Sequence, residues 1–280
     1  MEVTIWGCRG SLPTPGKNTL RFGGNTTCLE VRLADGNVIV IDAGTGIRAL
    51  GRKLMREEGL NEIYLVLTHS HWDHLMGFPF FAPAYSERFK INVRGGPIAK
   101  ETIRQNLEQQ MQPPYFPVRF SYMKARFDFT HGIPKVKYIG DATVTPIALS
   151  HPNGGYGFKF EEGDRCFVFL TDNELEYQHE GGCARYEYAN FCREADLLLH
   201  DAQYTDEEYQ RFKTWGHSTC QTALDLGIQA KVKRIGLFHH DPDRKDEDID
   251  RIVQTCESNL AQRSVRLDFF AAAEGMRIAV

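Results

Sequence analysis

Excess positive charge is missing from this chain: 33 lysines and arginines face 37 aspartates and glutamates, a formal charge of −4. A protein that grips long nucleic acid by charge alone neutralises many phosphates with basic side chains, so the balance argues against that class. No CxxC pair occurs among the seven cysteines, and their number is odd. A disulfide scaffold is thereby excluded, and buried free thiols in a reducing cytosol are expected. No apolar run reaches the ~20 residues that span a bilayer. The opening Met1-Glu2-Val3-Thr4-Ile5-Trp6 has the character of a strand rather than of a basic-apolar leader. These absences predict a soluble, cytoplasmic protein with no membrane partner. Repeats, low-complexity tracts and linkers are also absent, so residues 1–280 are expected to form a single domain. The 42% hydrophobic share is enough for a large core.

Strand-like and helix-like segments alternate along the chain. Strands are predicted over 3–6, 28–33, 38–42, 63–67 and 91–93, then over 136–139, 144–149, 156–160, 166–171, 196–200, 234–238 and 265–270. Helices are predicted over 45–58, 99–111, 186–194, 218–230 and 247–260. Residues 113–134, rich in proline and aromatics, read as a surface excursion. The alternation implies an α/β protein of two similar β-rich halves, each backed by helices. Metal-type polar residues follow the ends of apolar strands six times: Asp42, His69, His151, Asp172, Asp201 and His239. Strand ends are where rigid scaffolds place active sites, so these six are expected to converge on one edge.

Ten histidines are present, and three fall in Thr68-His69-Ser70-His71-Trp72-Asp73-His74, directly after an apolar strand. Neutral imidazole nitrogens and carboxylate oxygens together suit Zn²⁺, and Mn²⁺ or Fe²⁺ tolerate the same donors. One ion cannot easily take all four side chains from so tight a loop. His69 and His71 can face one ion while Asp73 and His74 face a second.

The motif resembles the HxHxDH signature of the metallo-β-lactamase superfamily, and further segments extend the resemblance over essentially the whole chain. His151 in Ser150-His151-Pro152-Asn153-Gly154 matches the third ligand of the first metal. Asp172 in Leu170-Thr171-Asp172 matches the carboxylate that bridges both metals, and His239 in Leu237-Phe238-His239-His240 matches the last ligand of the second. The resemblance implies a four-layer αββα sandwich of two mixed β-sheets with two divalent ions at one edge, bound by His69, His71, Asp73, His74, His151, Asp172 and His239. Histidine at position 71, where oxidoreductase members carry glutamate, points to hydrolysis. Aspartate at 172 fits the phosphodiesterase branch.

The opening Trp6-Gly7-Cys8-Arg9-Gly10-Ser11-Leu12-Pro13 and His217-Ser218-Thr219 resemble the branch that holds tRNA 3′-end-processing endonucleases and cyclic phosphodiesterases. That likeness implies a metal-bridged hydroxide as nucleophile, oriented by Asp73, with His217 as proton donor held by Asp201. His240 is expected to point away from the metals, His200 to serve the core or brace the site, and His131 and His179 to be surface residues. Residues 83–134 are expected to be an insertion that covers the active site or contacts a second copy in a homodimer. Its Tyr115 and Phe116 could stack on a base, and Arg9 and Ser11 could contact phosphate. With no basic arm in evidence, a small or cyclic phosphodiester is the expected substrate. The alternatives are an RNA endonuclease of the tRNA 3′-processing type and a metal-bound sensor with little turnover.

Overall fold

The computed structural model describes residues 1–96, 100–129 and 136–280. In chain order the elements are β1 (Glu2–Gly7), β2 (Cys28–Arg32), β3 (Val38–Ile41), α1 (Ile47–Met55), β4 (Glu62–Val66), α2 (Trp72–Leu75), β5 (Lys90–Arg94), α3 (Lys100–Gln109), β6 (Arg126–Asp128), β7 (Lys137–Ile139) and β8 (Ala142–Ala148). There follow β9 (Tyr156–Glu162), β10 (Arg165–Leu170), α4 (Arg185–Phe191), β11 (Leu197–Asp201), α5 (Asp206–Phe212), α6 (Cys220–Ala230), β12 (Arg234–Phe238), α7 (Asp246–Gln262), β13 (Asp268–Ala271) and β14 (Arg277–Ala279).

Among the described residues fourteen strands divide into two seven-stranded mixed sheets, ordered β14-β1-β2-β3-β4-β5-β6 and β13-β12-β11-β10-β9-β8-β7. Each sheet has an antiparallel part and a parallel part that meet at a central strand, β3 in the first and β10 in the second. Alternation along the strands sorts side chains into layers, because successive residues point to opposite faces. Ile39, Ile41, Phe167, Phe169, Leu197, Leu199 and Phe238 fill one core shared by the two sheets. Val38 and Val40 face the other way, where Ile47, Leu50 and Leu54 of α1 cover them. Val168, Leu170 and Leu198 likewise meet Ala189 of α4, Ala223 and Leu224 of α6, and Leu260 of α7. The result is the expected αββα sandwich. No helix among the described residues is long and apolar enough to cross a membrane.

Several sequence expectations shift. The helix predicted from residue 45 begins at Ile47, because Thr45 is tied to Thr26 through both its N–H and its Oγ1. Residues 113–134 are not wholly an excursion. Within them β6 extends the first sheet, and Met123 and Ala125 join its helix-side core. Residue 131 lies outside the described residues. Helix α5 and strands β6 and β14 match none of the elements expected from the sequence.

Candidate dinuclear metal centre

Parallel strands bring their C-terminal ends to one edge, and that edge carries the site. Asp42 follows β3, Thr68 and His69 follow β4, Asp172 follows β10, Asp201 closes β11 and His239 follows β12. Strand β8 runs in the same sense, being two antiparallel steps from β10, and delivers His151. Asp42, Asp172 and His239 have φ of 61°, 53° and 61°. This left-handed kink turns the chain sharply at the strand end, in a region that non-glycine residues seldom occupy. Gly10 lets the 8–12 loop press in from the side, since a Cβ there would stand 2.5 Å from His239 Nδ1.

Three donor groups result among the described residues; one is Asp201, His217 and His239, and the other two share Asp172. His69, His71, His151 and Asp172 form one; Asp73, His74, Asp172 and His239 form the other, and the ligating atoms of each lie within 4.8 Å of one another. Asp172 belongs to both and is split between them. Its Oδ2 faces His69 Nε2 at 3.6 Å and His151 Nε2 at 3.7 Å. Its Oδ1 faces His74 Nε2 at 3.2 Å and His239 Nε2 at 3.3 Å.

Residues behind the ligands fix which nitrogen each ring presents. His151 Nδ1 donates to the Gly216 carbonyl at 2.9 Å, leaving Nε2 as the lone-pair atom. His239 Nδ1 is held by Gln203 Oε1 at 3.0 Å. Asp42 accepts from Thr68 N, from Thr68 Oγ1 and from His74 Nδ1, each at 2.8 Å. Such partners set ring tautomer and orientation in metal sites. Asp73 Oδ2 accepts from the Ser11 N–H at 2.8 Å.

The donor set fits divalent ions. His69 Nε2 and His74 Nε2 are buried and make no hydrogen bond, which in a protein interior is costly unless a cation takes the lone pair. Burial pushes His69 well below the usual histidine range and His151 down to about 4, so both rings are neutral and free to ligate near pH 7. Around His74 the balance reverses: burial opposes its charge, but the carboxylates of Asp172, Asp73 and Asp42 outweigh it and hold the ring well above its ordinary value. Three carboxylates about one imidazole are an excess of negative charge that a dication neutralises. The cluster is a site for two divalent metals.

Beside the second group lies the predicted pair. His217 Nδ1 is 2.6 Å from Asp201 Oδ2, and Asp201 Oδ1 accepts from Ser218 N at 3.0 Å. Burial works against the charged ring, but Asp201 overrides it and His217 is pushed up to about 9.

The expected substrate residues fare differently. Arg9 is fully buried, and its Nε and Nη1 donate to the carbonyls of Gly23, Asp241 and Arg244. It clamps the loops behind the site and does not face a phosphate. Ser11 contributes its backbone N–H to Asp73, while its side chain is exposed. Next to His69 and His71 a cavity of about 580 Å³ opens, and Leu67, Ile103, Asn106, Leu149, Asn153 and Tyr156 are among its walls. Tyr115 and Phe116 are not among its lining residues: Tyr115 is 80% exposed, and Phe116 packs edge-on to Phe80 at 5.5 Å. Ile103 and Asn106 of α3 line the cavity instead, and Asn106 reaches Ser70 Oγ at 2.7 Å. A polar residue on the inner face of a helix following the ligand motif was the available signal. His240 turns away to the Ala272 carbonyl, and His200 braces Asn173 and the Asp201 carbonyl, both as expected. His179 is not a plain surface residue, since it binds the buried Glu174 at 2.8 Å.

Residues 37–240 match the model of the beta-lactamase superfamily domain, and the chain belongs to that superfamily. Ribonuclease Z of Haloarcula marismortui is 26% identical over 288 positions, which cover 85% of this chain and 86% of that protein. Among solved structures, the short form of human tRNase Z superposes with a TM-score of 0.69 at 20% identity, covering 100% of this chain and 99% of that one. A diphosphatase of the PhnP family superposes with a TM-score of 0.67 at 18% identity, covering 100% and 97%. The two structural likenesses carry the fold.

Proposed function

We propose that this chain is a dinuclear-metal phosphodiester hydrolase whose substrate is a small or cyclic phosphodiester. The observation that carries the reading is the split of Asp172 between two donor groups, with the Asp201–His217 pair alongside. The imidazole-rich first group favours Zn²⁺. Two such ions, when bound, would lower the pKa of a water and offset charge on phosphate oxygens. The chain's own residues do the rest. Asp73, fixed by the Ser11 N–H, orients the attacking water. His217 has Nδ1 committed to Asp201, so Nε2 is the atom from which a proton passes to the leaving alkoxide as the P–O bond breaks. The cavity beside His69 takes the ester group. Its volume suits a small ligand, and among the described residues no lysine or arginine lines it, which supports a small substrate over a polyanion. Helix α3 acts as its cover. Cytosolic location and a homodimer belong to the same proposal, the first on seven free thiols, the second on resemblance alone.

Metal-loaded protein should hydrolyse bis-p-nitrophenyl phosphate, and Asp73→Ala should reduce this to background; unchanged turnover in the variant would sink the reading. A second reading, cleavage of RNA at tRNA 3′ ends, is favoured by the likeness to ribonuclease Z. The two separate on a panel of 2′,3′- and 3′,5′-cyclic nucleotides against pre-tRNA in a salt series, because a polyanion substrate predicts steep salt dependence. No turnover on any of them would leave the sensor reading.

A further inference from the structure

Behind the metal centre one acid is bound on every side. Glu174 lies two residues past Asp172 and is 1% exposed. Its Oε1 accepts from the Tyr209 hydroxyl at 2.6 Å and from the Thr214 N–H at 2.8 Å. Its Oε2 accepts from the Gly216 N–H and from His179 Nε2, both at 2.8 Å. Two of the four donors are thus backbone groups of a single loop, 213–217, between α5 and α6.

That loop is held in a conformation it would not choose alone. Thr214 has φ of 76° and Gly216 of 93°. A β-branched residue in the left-handed region is an outlier that persists only where its surroundings fix it, and the Glu174 carboxylate does so by binding the N–H groups on either side of Trp215. The loop also touches both halves of the site. The Gly216 carbonyl accepts from His151 Nδ1 and thereby aims Nε2 at the first donor group. A Cβ on residue 216 would stand 2.1 Å from that same Nδ1, so the backbone is pressed against the ligand ring. The next residue is His217.

We propose that Glu174 is a positioning residue that sets, through this one loop, both the aim of the ligand His151 and the place of the proton donor His217. Only the His217 half rests on the phosphodiesterase reading; the His151 half does not. The carboxylate is needed because it is acceptor-only, with room for four donors. Glutamine at 174 offers one oxygen and an NH₂ group, so that two of the four donors now face a donor.

The test compares wild type, Glu174→Gln and Tyr209→Phe in two measurements. The first is chelator competition for bound Zn²⁺. One of the two ions should be held about 10- to 100-fold more weakly in Glu174→Gln, as is usual when a group behind a ligand is lost. The second is the ratio of kcat on bis-p-nitrophenyl phosphate to kcat on a 2′,3′-cyclic nucleotide. A p-nitrophenolate leaves without a proton and an alkoxide does not, so misplacing His217 should raise the ratio about tenfold or more. Tyr209→Phe removes one donor and should move both readouts in the same direction by less. A folded Glu174→Gln protein with either readout at the wild-type value overturns the shared-loop proposal. If Glu174→Gln does not fold, Tyr209→Phe decides by the same criterion. If wild type hydrolyses neither ester, the phosphodiesterase reading fails, and chelator competition alone decides whether Glu174 aims His151.

Discussion

His217 and His239 stack face to face, ring centroids 4.9 Å apart at 18°, and each ring is held at Nδ1 from behind. The proposed proton donor thus lies flat against a proposed metal ligand, and Asp201 stands within 3.7 Å of both rings. His217→Ala should lower kcat on a cyclic nucleotide by about 10²- to 10⁴-fold, the usual worth of a positioned acid. It should change turnover of bis-p-nitrophenyl phosphate far less. Steady-state kinetics on both esters check this, and equal losses on the two would rule out a proton-donor role.

Asp42 belongs to none of the donor groups but holds Thr68 and, at 2.8 Å, the Nδ1 of His74. Asp42→Asn leaves one fewer acceptor for three donors and frees the His74 ring. The second ion should bind about 10- to 100-fold more weakly. Metal analysis after dialysis at a fixed free-ion concentration should show the content falling from two ions toward one. Two tightly held ions in the variant would contradict this account of His74.

Ile103 forms part of the cavity wall. Ile103→Trp adds bulk where the ester group is placed and should raise KM for a cyclic nucleotide about tenfold, the equivalent of ~1.4 kcal/mol. KM for methyl p-nitrophenyl phosphate, which is smaller, should move little. A KM for the nucleotide equal to wild type would place the substrate elsewhere.

The thiols are predicted to be inert. Burial pushes Cys166 and Cys256 up to about 11, and Cys8, Cys192 and Cys220 higher still. The thiolate is the reactive form. A thiol of pKa 11 is ionised in only about one molecule per thousand at pH 8, and alkylation should speed up as pH rises toward 11. Mass spectrometry after iodoacetamide at pH 8 should find little labelling of the native protein and seven labels after unfolding in urea. Rapid native labelling of Cys220 would refute the burial argument.

The residues of the two donor groups that share Asp172 were legible because each is a metal-type side chain placed at or soon after the end of an apolar run. The strands that carry them were legible because alternation and β-branching persist over four or more residues. Strand β6, with only Arg126-Phe127-Asp128, and β14, paired to β1 far along the chain, are too short for any period to register. Helix α5 does carry a signal in the sequence: Thr205 and Glu208 form a reciprocal cap, the pattern of a helix start. Arg9 left two roles open, phosphate contact and bracing of a turn, because an arginine beside glycine reads the same whether it meets phosphate or backbone carbonyls; its hydrogen bonds here are to carbonyls. Glu174 left no trace at all, since an acid satisfied by backbone N–H groups of a distant loop has no local spacing to betray it.

The left-handed backbone at Asp42, Asp172 and His239 sets stability and function at odds. Each such kink at a non-glycine residue costs of order 1–3 kcal/mol, toward the low end for aspartate. Three of them cluster within one site, and glycine would relieve all three while removing two ligands and the brace of His74. Selection for thermal resilience alone would therefore erode this edge of the sandwich first. Variants of the chain that gain melting temperature by mutation at these positions should be the ones that have lost their ions.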